Sequence, residues 1–137
     1  MKNILWEPKS YHYQDSNISK FISYVNKKYN QDITDYETLY NWSISDLNSF
    51  WESVLNFCEI SYSSNYNSVI QNSSSMLNSS WFDGLKFNFA ENLLRFKDDK
   101  IAIEYFCEDK IKGTITYEEL FNQVKSCALY LESIGIK

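Results

Sequence analysis

The sequence predicts an α/β protein in which helices come first and strands come later. Two segments before residue 60 repeat apolar residues with the 3.6-residue period of an amphipathic helix. Further on, β-prone residues fill 101–107 and 114–116, on either side of a turn region. Thr116 and Glu119 then have the spacing of a capping box, which begins a helix.

The first helices follow an irregular entry. We expect residues 1–15 to be irregular, with Pro8 fixing an extended start. A helix from about Asn17 to Tyr29 is indicated by an apolar face at i, i+3, i+4, i+7 and i+11. That face consists of Ile18, Phe21, Ile22, Val25 and Tyr29.

Two more helices complete the N-terminal part. A short helix at about Asp35–Trp42 is predicted from Thr34 and Glu37, which have capping-box spacing. A third helix covers about Asp46–Cys58 and has a strong apolar stripe. The stripe consists of Leu47, Phe50, Trp51, Val54, Leu55 and Cys58. The aromatic residues of all three helices are interpreted as packing residues.

Residues 61–80 have a different composition, because thirteen of these twenty residues are Ser or Asn. Such side chains compete for backbone hydrogen bonds and disfavour both helices and strand ladders. We therefore expect an extended surface connector in this segment.

The segment after the connector begins with a turn at 81–84, where Gly84 can adopt positive φ. Asn88 is placed to cap a helix of about Phe89–Phe96, with Glu91 at the reciprocal position.

The last helix is predicted to run from the Thr116 capping box to about Ile134. Gly135 is well placed for a left-handed C-terminal cap. Its apolar positions are Leu120, Phe121, Val124, Cys127, Ala128 and Leu131. Because Cys58 and Cys127 lie in apolar helical patterns, we expect both to be small buried thiols.

Charge and composition exclude several functions. The net charge is −5 and Arg95 is the only arginine, so the clustered cations that bind nucleic acid or anionic lipid are missing. No apolar run approaches the roughly 18 residues that span a bilayer. Three scattered cysteines and one histidine, His12, do not form a zinc pattern. We expect a cytoplasmic protein without a metal site.

Candidate catalytic groups are weak. His12 lies in the irregular start, Cys107 has no base beside it, and Arg95 ends a short helix. The pair Glu118–Glu119 is best explained as favourable negative charge at a helix N-terminus. The sequence therefore predicts no catalytic, cofactor-binding or metal-binding residue.

Three motifs carry a resemblance to a known family. They are Leu5-Trp6-Glu7-Pro8, the stretch WFDGLKFNFAENLLR at 81–95, and Thr116-Tyr117-Glu118-Glu119-Leu120. In their order and spacing they resemble the N-terminal part of acetoacetyl-CoA synthetases, within the acyl-adenylate-forming superfamily. The resemblance implies an AMP-forming acetoacetate–CoA ligase of lipid and ketone-body metabolism that uses ATP, Mg and CoA.

The resemblance also implies a domain plan. Residues 1–60 are interpreted as a helical N-terminal cap, 61–80 as the connector, and 81–137 as the start of a truncated AMP-binding large domain. A phosphate cradle needs a loop rich in Gly, Ser or Thr with a lysine. Gly84, Gly113 and Gly135 are isolated, so we expect this segment to bind none of the cofactors and to be inactive alone.

Several functions stay open at this point. One hypothesis is that the remainder of a ligase completes the chain as its partner, which an exposed apolar helix face and an open strand edge would favour. Alternatively, it is a fragment of an acetyl- or propionyl-CoA synthetase, the inactive product of a truncated gene, or a stand-alone module that binds another partner.

Overall fold

The computed structural model of the chain describes residues 9–108, 110 and 112–136. Two units are separated after Lys86: Met1–Lys86, which we call the helical unit, and Phe87–Lys137, the hairpin unit. The predicted boundaries at residues 60 and 80 stay predictions. The extended entry at Pro8 lies outside the described residues.

The helical unit contains four α-helices followed by a small antiparallel sheet. Its elements are α1 (Ser10–Gln14), α2 (Asn17–Tyr29), α3 (Tyr36–Ser45), α4 (Leu47–Phe57), β1 (Ser68–Gln71), a 3₁₀ turn (Met76–Asn78) and β2 (Ser80–Asp83). The hairpin unit contains α5 (Phe89–Leu93), β3 (Ile101–Phe106), β4 (Lys112–Thr116) and α6 (Tyr117–Ser133). The α/β class predicted from the sequence is confirmed.

Helix α2 has the bounds predicted from its apolar face. The Ser16 hydroxyl accepts a hydrogen bond from the Ser19 N–H at 3.2 Å and so caps its first turn. The helix ends at Asn30, which adopts the left-handed conformation with φ 52°. The N-terminal cap, the apolar period and the residue that ends the helix thus all agree with the predicted bounds of α2.

Two expectations for the helical unit are wrong. The segment 1–15 is not irregular throughout, because α1 forms there, with the Lys9 N–H donating to His12 Nδ1 at 3.2 Å. Helix α3 is capped by Asp35 rather than by Thr34 and Glu37. The Asp35 carboxylate accepts the Thr38 N–H at 2.8 Å, since a charged acceptor bonds an N–H more strongly than a hydroxyl does.

The core of the helical unit lies where α2 meets the segment 33–39 and α4. Val25 is completely buried. The other buried members of this cluster are Phe21, Ile33 and Leu39. Aromatic rings surround them at contact distance, for example Phe21 and Phe57 at 5.2 Å between ring centroids. The interpretation of these aromatic residues as packing residues is therefore confirmed.

The Ser/Asn-rich segment contains a strand, contrary to our expectation. Strand β1 pairs antiparallel with β2, so that Ile70 faces Trp81. Residues 81–83, expected in a turn, belong to β2, and the turn begins at Gly84 with φ 86°. Burial of Val69 stabilises the pairing. Apolar residues at two central positions outweigh the weak strand preference of their polar neighbours.

The caps of the hairpin unit follow the local sequence signals, but α5 ends at Leu93 and so is three residues shorter than the predicted helix of about Phe89–Phe96. The Asn88 side chain accepts the Glu91 N–H at 3.1 Å at the start of α5. At α6 the Thr116 hydroxyl accepts the Glu119 N–H at 3.1 Å, and the Glu119 carboxylate accepts the Thr116 N–H at 2.9 Å. This reciprocal capping box was predicted.

The end of α6 is a Schellman motif. Gly135 has φ 86°, its N–H donates to the Glu132 carbonyl at 3.0 Å, and the Ile136 N–H donates to the Leu131 carbonyl at 3.0 Å. The glycine cap predicted here is confirmed.

The three cysteines are exposed, so the prediction that Cys58 and Cys127 are buried is wrong. Cys58 is the C-cap of α4 and lies beyond the last turn of the apolar stripe. Cys127 lies in α6, whose apolar side is only partly covered within the hairpin unit.

Candidate functional site

A carboxylate network joins three segments of the helical unit. Glu52 of α4 accepts hydrogen bonds from Lys28 Nζ at 3.0 Å and from the Tyr29 hydroxyl at 2.8 Å. Its second oxygen accepts the Tyr66 hydroxyl at 3.2 Å. Lys28 also lies 5.0 Å from the centroid of the Tyr29 ring, within cation–π range. All four polar groups are thus satisfied by one another.

These contacts shift the protonation equilibria of the network. The hydrogen bond from Lys28, followed by that from Tyr29, lowers the pKa of Glu52. Burial lowers the pKa of Lys28, but its hydrogen bonds to Glu52 and Tyr29 outweigh this effect and raise it. Burial, together with the nearby Glu52 charge, raises the pKa of Tyr66. These three shifts favour the Lys28–Glu52 ion pair and the neutral form of Tyr66 near pH 7, which is typical of a structural network.

An apolar groove of about 350 Å³ lies in the hairpin unit. Helix α5 and its C-cap contribute Ala90, Leu93 and Leu94, strand β3 contributes Ala102, and α6 contributes Leu120 and Val124. No charged side chain lines it. Tyr117 is the remaining lining residue, and the groove can bind apolar side chains.

The weak catalytic candidates are placed in separate local roles. Glu119 belongs to the capping box of α6. The Arg95 guanidinium lies 4.9 Å from the Phe96 ring centroid, directly after α5. Cys107 is exposed at the end of β3. His12 accepts a hydrogen bond from the Lys9 N–H at the start of α1. The absence of catalytic residues stays a prediction.

The absence of an ATP or Mg site from the described residues stays a prediction. In that part of the chain no three His, Cys, Asp or Glu side chains are grouped so that they could hold a metal ion. The three glycines lie in different turns or strands, so no glycine-rich nest of backbone N–H groups forms around a phosphate. Among helices of the described ranges, none combines the length and apolar character needed to cross a bilayer.

Sequence reasoning missed the Glu52 network because its members are far apart in sequence. Glu52 lies 24 residues from Lys28 and 14 from Tyr66. Periodicity and capping rules concern neighbours within about one helical turn. The packing of α2 against α4 and of the segment at β1 against α4 brings these groups together.

Comparison with known proteins identifies relatives along almost the whole chain. A family model described as the acetyl-coenzyme A synthetase N-terminus matches residues 36–93. An acetoacetyl-CoA synthetase from Danio rerio is 34% identical, over 98% of this chain and 20% of the relative. A malonamoyl-CoA synthetase from Penicillium aethiopicum is 32% identical, over 99% of this chain and 20% of the relative.

The fold has a counterpart among solved structures. The acetoacetyl-CoA synthetase from Streptomyces lividans superposes with a TM-score of 0.84 at 28% identity, over 97% of this chain and 21% of that protein. The chain thus spans about a fifth of the length of the relatives it matches. The family resemblance seen in the sequence motifs is confirmed. Along almost its whole length the chain is similar to the N-terminal part of acetoacetyl-CoA synthetases, and residues 36–93 match the model of the acetyl-coenzyme A synthetase N-terminus.

Proposed function

We propose that this chain serves as the N-terminal segment of an ATP-dependent ligase that joins acetoacetate to CoA. The similarity to acetoacetyl-CoA synthetases over at least 96% of the chain, in animals and in a bacterium, carries this proposal. In such a reaction the acid is activated as an acyl-adenylate with release of pyrophosphate, and the acyl group then passes to the CoA thiol.

The contribution of this segment is structural. Its helical unit has an aromatic core, while its polar network is saturated by internal hydrogen bonds. Its groove is apolar. The groups that bind ATP, Mg and CoA therefore belong to the remaining four-fifths of the ligase, and residues 1–137 supply fold and stability.

The acid is a short acid with a carbonyl carbon β to its carboxylate. Acetoacetate and malonamate, the acids named in two relatives, share this arrangement and differ in a terminal methyl or amide group. Acetoacetate is the preferred choice because the relatives named for it include proteins from several vertebrates and Rhizobium meliloti.

A chimera tests this function. Residues 1–137 would replace the matching N-terminal fifth of the Streptomyces lividans synthetase, and pyrophosphate release would be measured with ATP, CoA and acetoacetate. We expect activity that depends on acetoacetate and exceeds that of the Streptomyces lividans synthetase lacking its N-terminal fifth. The 137-residue protein assayed by itself should release no pyrophosphate above the blank.

Two results would contradict the proposal. A folded, soluble chimera without activity would show that this segment cannot serve in such a ligase, which would favour an inactive gene product. Acetoacetate-dependent pyrophosphate release by the 137-residue protein would show that it holds reacting groups of its own.

A further inference from the structure

The apolar groove of the hairpin unit continues as a stripe along α6. Leu120 and Val124 line the groove, and Cys127 and Leu131 follow on the same side of the helix, at i, i+4, i+7 and i+11. The opposite side of the helix carries polar residues such as Asn122, Lys125 and Glu132 in this sequence. We call the groove and this continuation the α6 face.

The α6 face is incompletely covered by the hairpin. Val124 remains 38% exposed and Leu131 37% exposed. Strands β3 and β4 have six and five residues, whereas α6 has seventeen and extends for about 25 Å. Among the described residues of this unit only Leu94 counts as buried. A two-stranded sheet packed on one helix meets the minimum for stability, but it leaves part of the apolar side of α6 exposed.

The composition of the groove indicates what kind of group fits it. Ala90 and Ala102 have small side chains that leave room beside Leu93 and Leu120. Since the lining lacks charge, a charged or strongly polar occupant would lose its hydration without compensation. Leu, Ile or Phe side chains on a packed helix or strand are the best match.

We propose that the α6 face is the docking surface for an apolar element of the ligase's remaining polypeptide, an inference that rests on the proposed function. The relatives that share this fold are about five times as long as this chain, so their proteins contain further polypeptide that can cover the face. The occupant is that polypeptide, whether continuous with this chain or separate from it. A second copy of residues 1–137 and an unrelated protein are alternatives that the test distinguishes.

Two substitutions on α6 provide a matched test in the chimera with the Streptomyces lividans synthetase. Val124→Asp places a carboxylate in the α6 face, whereas Leu129→Asp places it on the opposite, polar side of the same helix, where Leu129 is 56% exposed. In the chimera we expect Val124→Asp to reduce activity by about tenfold or more, because an unpaired carboxylate would be buried. Leu129→Asp should stay within about twofold.

The same substitutions in the 137-residue protein serve as a folding control. Both residues are exposed there, so both variants should retain the circular dichroism spectrum and thermal unfolding curve of the unsubstituted protein. Loss of folding in Val124→Asp alone would contradict the inference, since it would show that the face is already buried without the remaining polypeptide.

Alkylation of Cys127 provides a second readout that does not need activity. Cys127 is exposed in this chain, and docking should slow its reaction with iodoacetamide in the chimera by about tenfold or more. Cys58, also exposed and located in the helical unit, gives the reference rate. An inactive chimera with a protected Cys127 would refute the proposed function and support the docking surface.

Other outcomes would refute the docking surface. An active chimera in which Val124→Asp has no effect, or in which Cys127 reacts as fast as in the 137-residue protein, would leave the proposed function standing and remove this inference. A dimer of the 137-residue protein in sedimentation that Val124→Asp dissociates would show that a second copy is the occupant.

Discussion

Replacing Glu52 with Gln should destabilise the helical unit by about 1–2 kcal/mol at pH 7. Gln retains the shape of Glu52 but loses the charge and one acceptor oxygen. Hydrogen bonds to a charged group contribute roughly 1.5–3 kcal/mol when shielded from water. The Lys28 and Glu52 side chains are 33% and 35% exposed, which limits the ion pair to about 1 kcal/mol or less. The expected value lies between these two limits.

The contribution of Glu52 should depend on pH in a defined direction. Its folded-state pKa is lowered by Lys28 and Tyr29, so the folded protein holds the Glu52 proton less tightly than the unfolded chain does. A lowered carboxyl pKa stabilises the fold at pH values above the unfolded value of about 4.3. This stabilisation is lost as the pH falls through the folded-state pKa. The difference between Glu52→Gln and the unsubstituted protein should therefore shrink below about pH 4.

Tryptophan fluorescence during urea unfolding is the appropriate assay. All four tryptophans precede residue 87 in the sequence, so their emission reports the helical unit. Glu104→Gln is the control, because Glu104 is an exposed glutamate of β3 outside the network. Equal stability of Glu52→Gln and unsubstituted protein at pH 7, or a deficit that persists undiminished at pH 3, would refute the reasoning.

Three further results are expected. Val25→Ala should cost about 2–3 kcal/mol in urea unfolding because Val25 is fully buried, whereas Ile18→Ala on the exposed edge of α2 should cost under about 1 kcal/mol. Thr116→Ala should lower the helical circular dichroism signal and weaken α6 by about 1 kcal/mol, because its capping hydroxyl is lost, and Thr116→Ser should restore the signal. All three cysteines should react with a thiol reagent in the folded protein, so titration without denaturant should reach the value found in denaturant.

Local sequence signals predicted most of the secondary structure. Helix α2 begins and ends where its apolar period and the Ser16 cap place it. The capping box at Thr116 and the glycine cap at Gly135 bound α6 to within one residue of the prediction. These signals succeed because each cap is formed by residues within about one turn of it. Local spacing rules did not identify Asp35 as the cap of α3. The hydrogen bond from the Thr38 N–H to the Asp35 carboxylate, seen only in the structure, shows that Asp35 rather than Thr34 is the cap.

Strand β1 and the Glu52 network depend on distant partners and were missed. The residues around Val69 and Ile70 form a strand because β2 lies beside them, with Trp81 opposite Ile70 although the two are eleven residues apart in sequence. Tyr66 is positioned to bind Glu52 in the same region. A segment rich in Ser and Asn gives little local preference, so its structure is decided by pairing and burial.

The exposure of Cys127 shows the difference between knowing which side of a helix is apolar and knowing which element covers that side. The period predicts which side of a helix will be covered, and α6 has its apolar residues on the predicted side. It does not identify the covering element, which within this unit is a hairpin too short to reach Cys127 and Leu131. The prediction that Cys127 is buried is therefore wrong for this chain by itself. The docking inference requires Cys127 to be buried in the assembled ligase. The rate at which Cys127 is alkylated in the chimera thus decides whether the apolar side of α6 is covered by polypeptide outside residues 1–137.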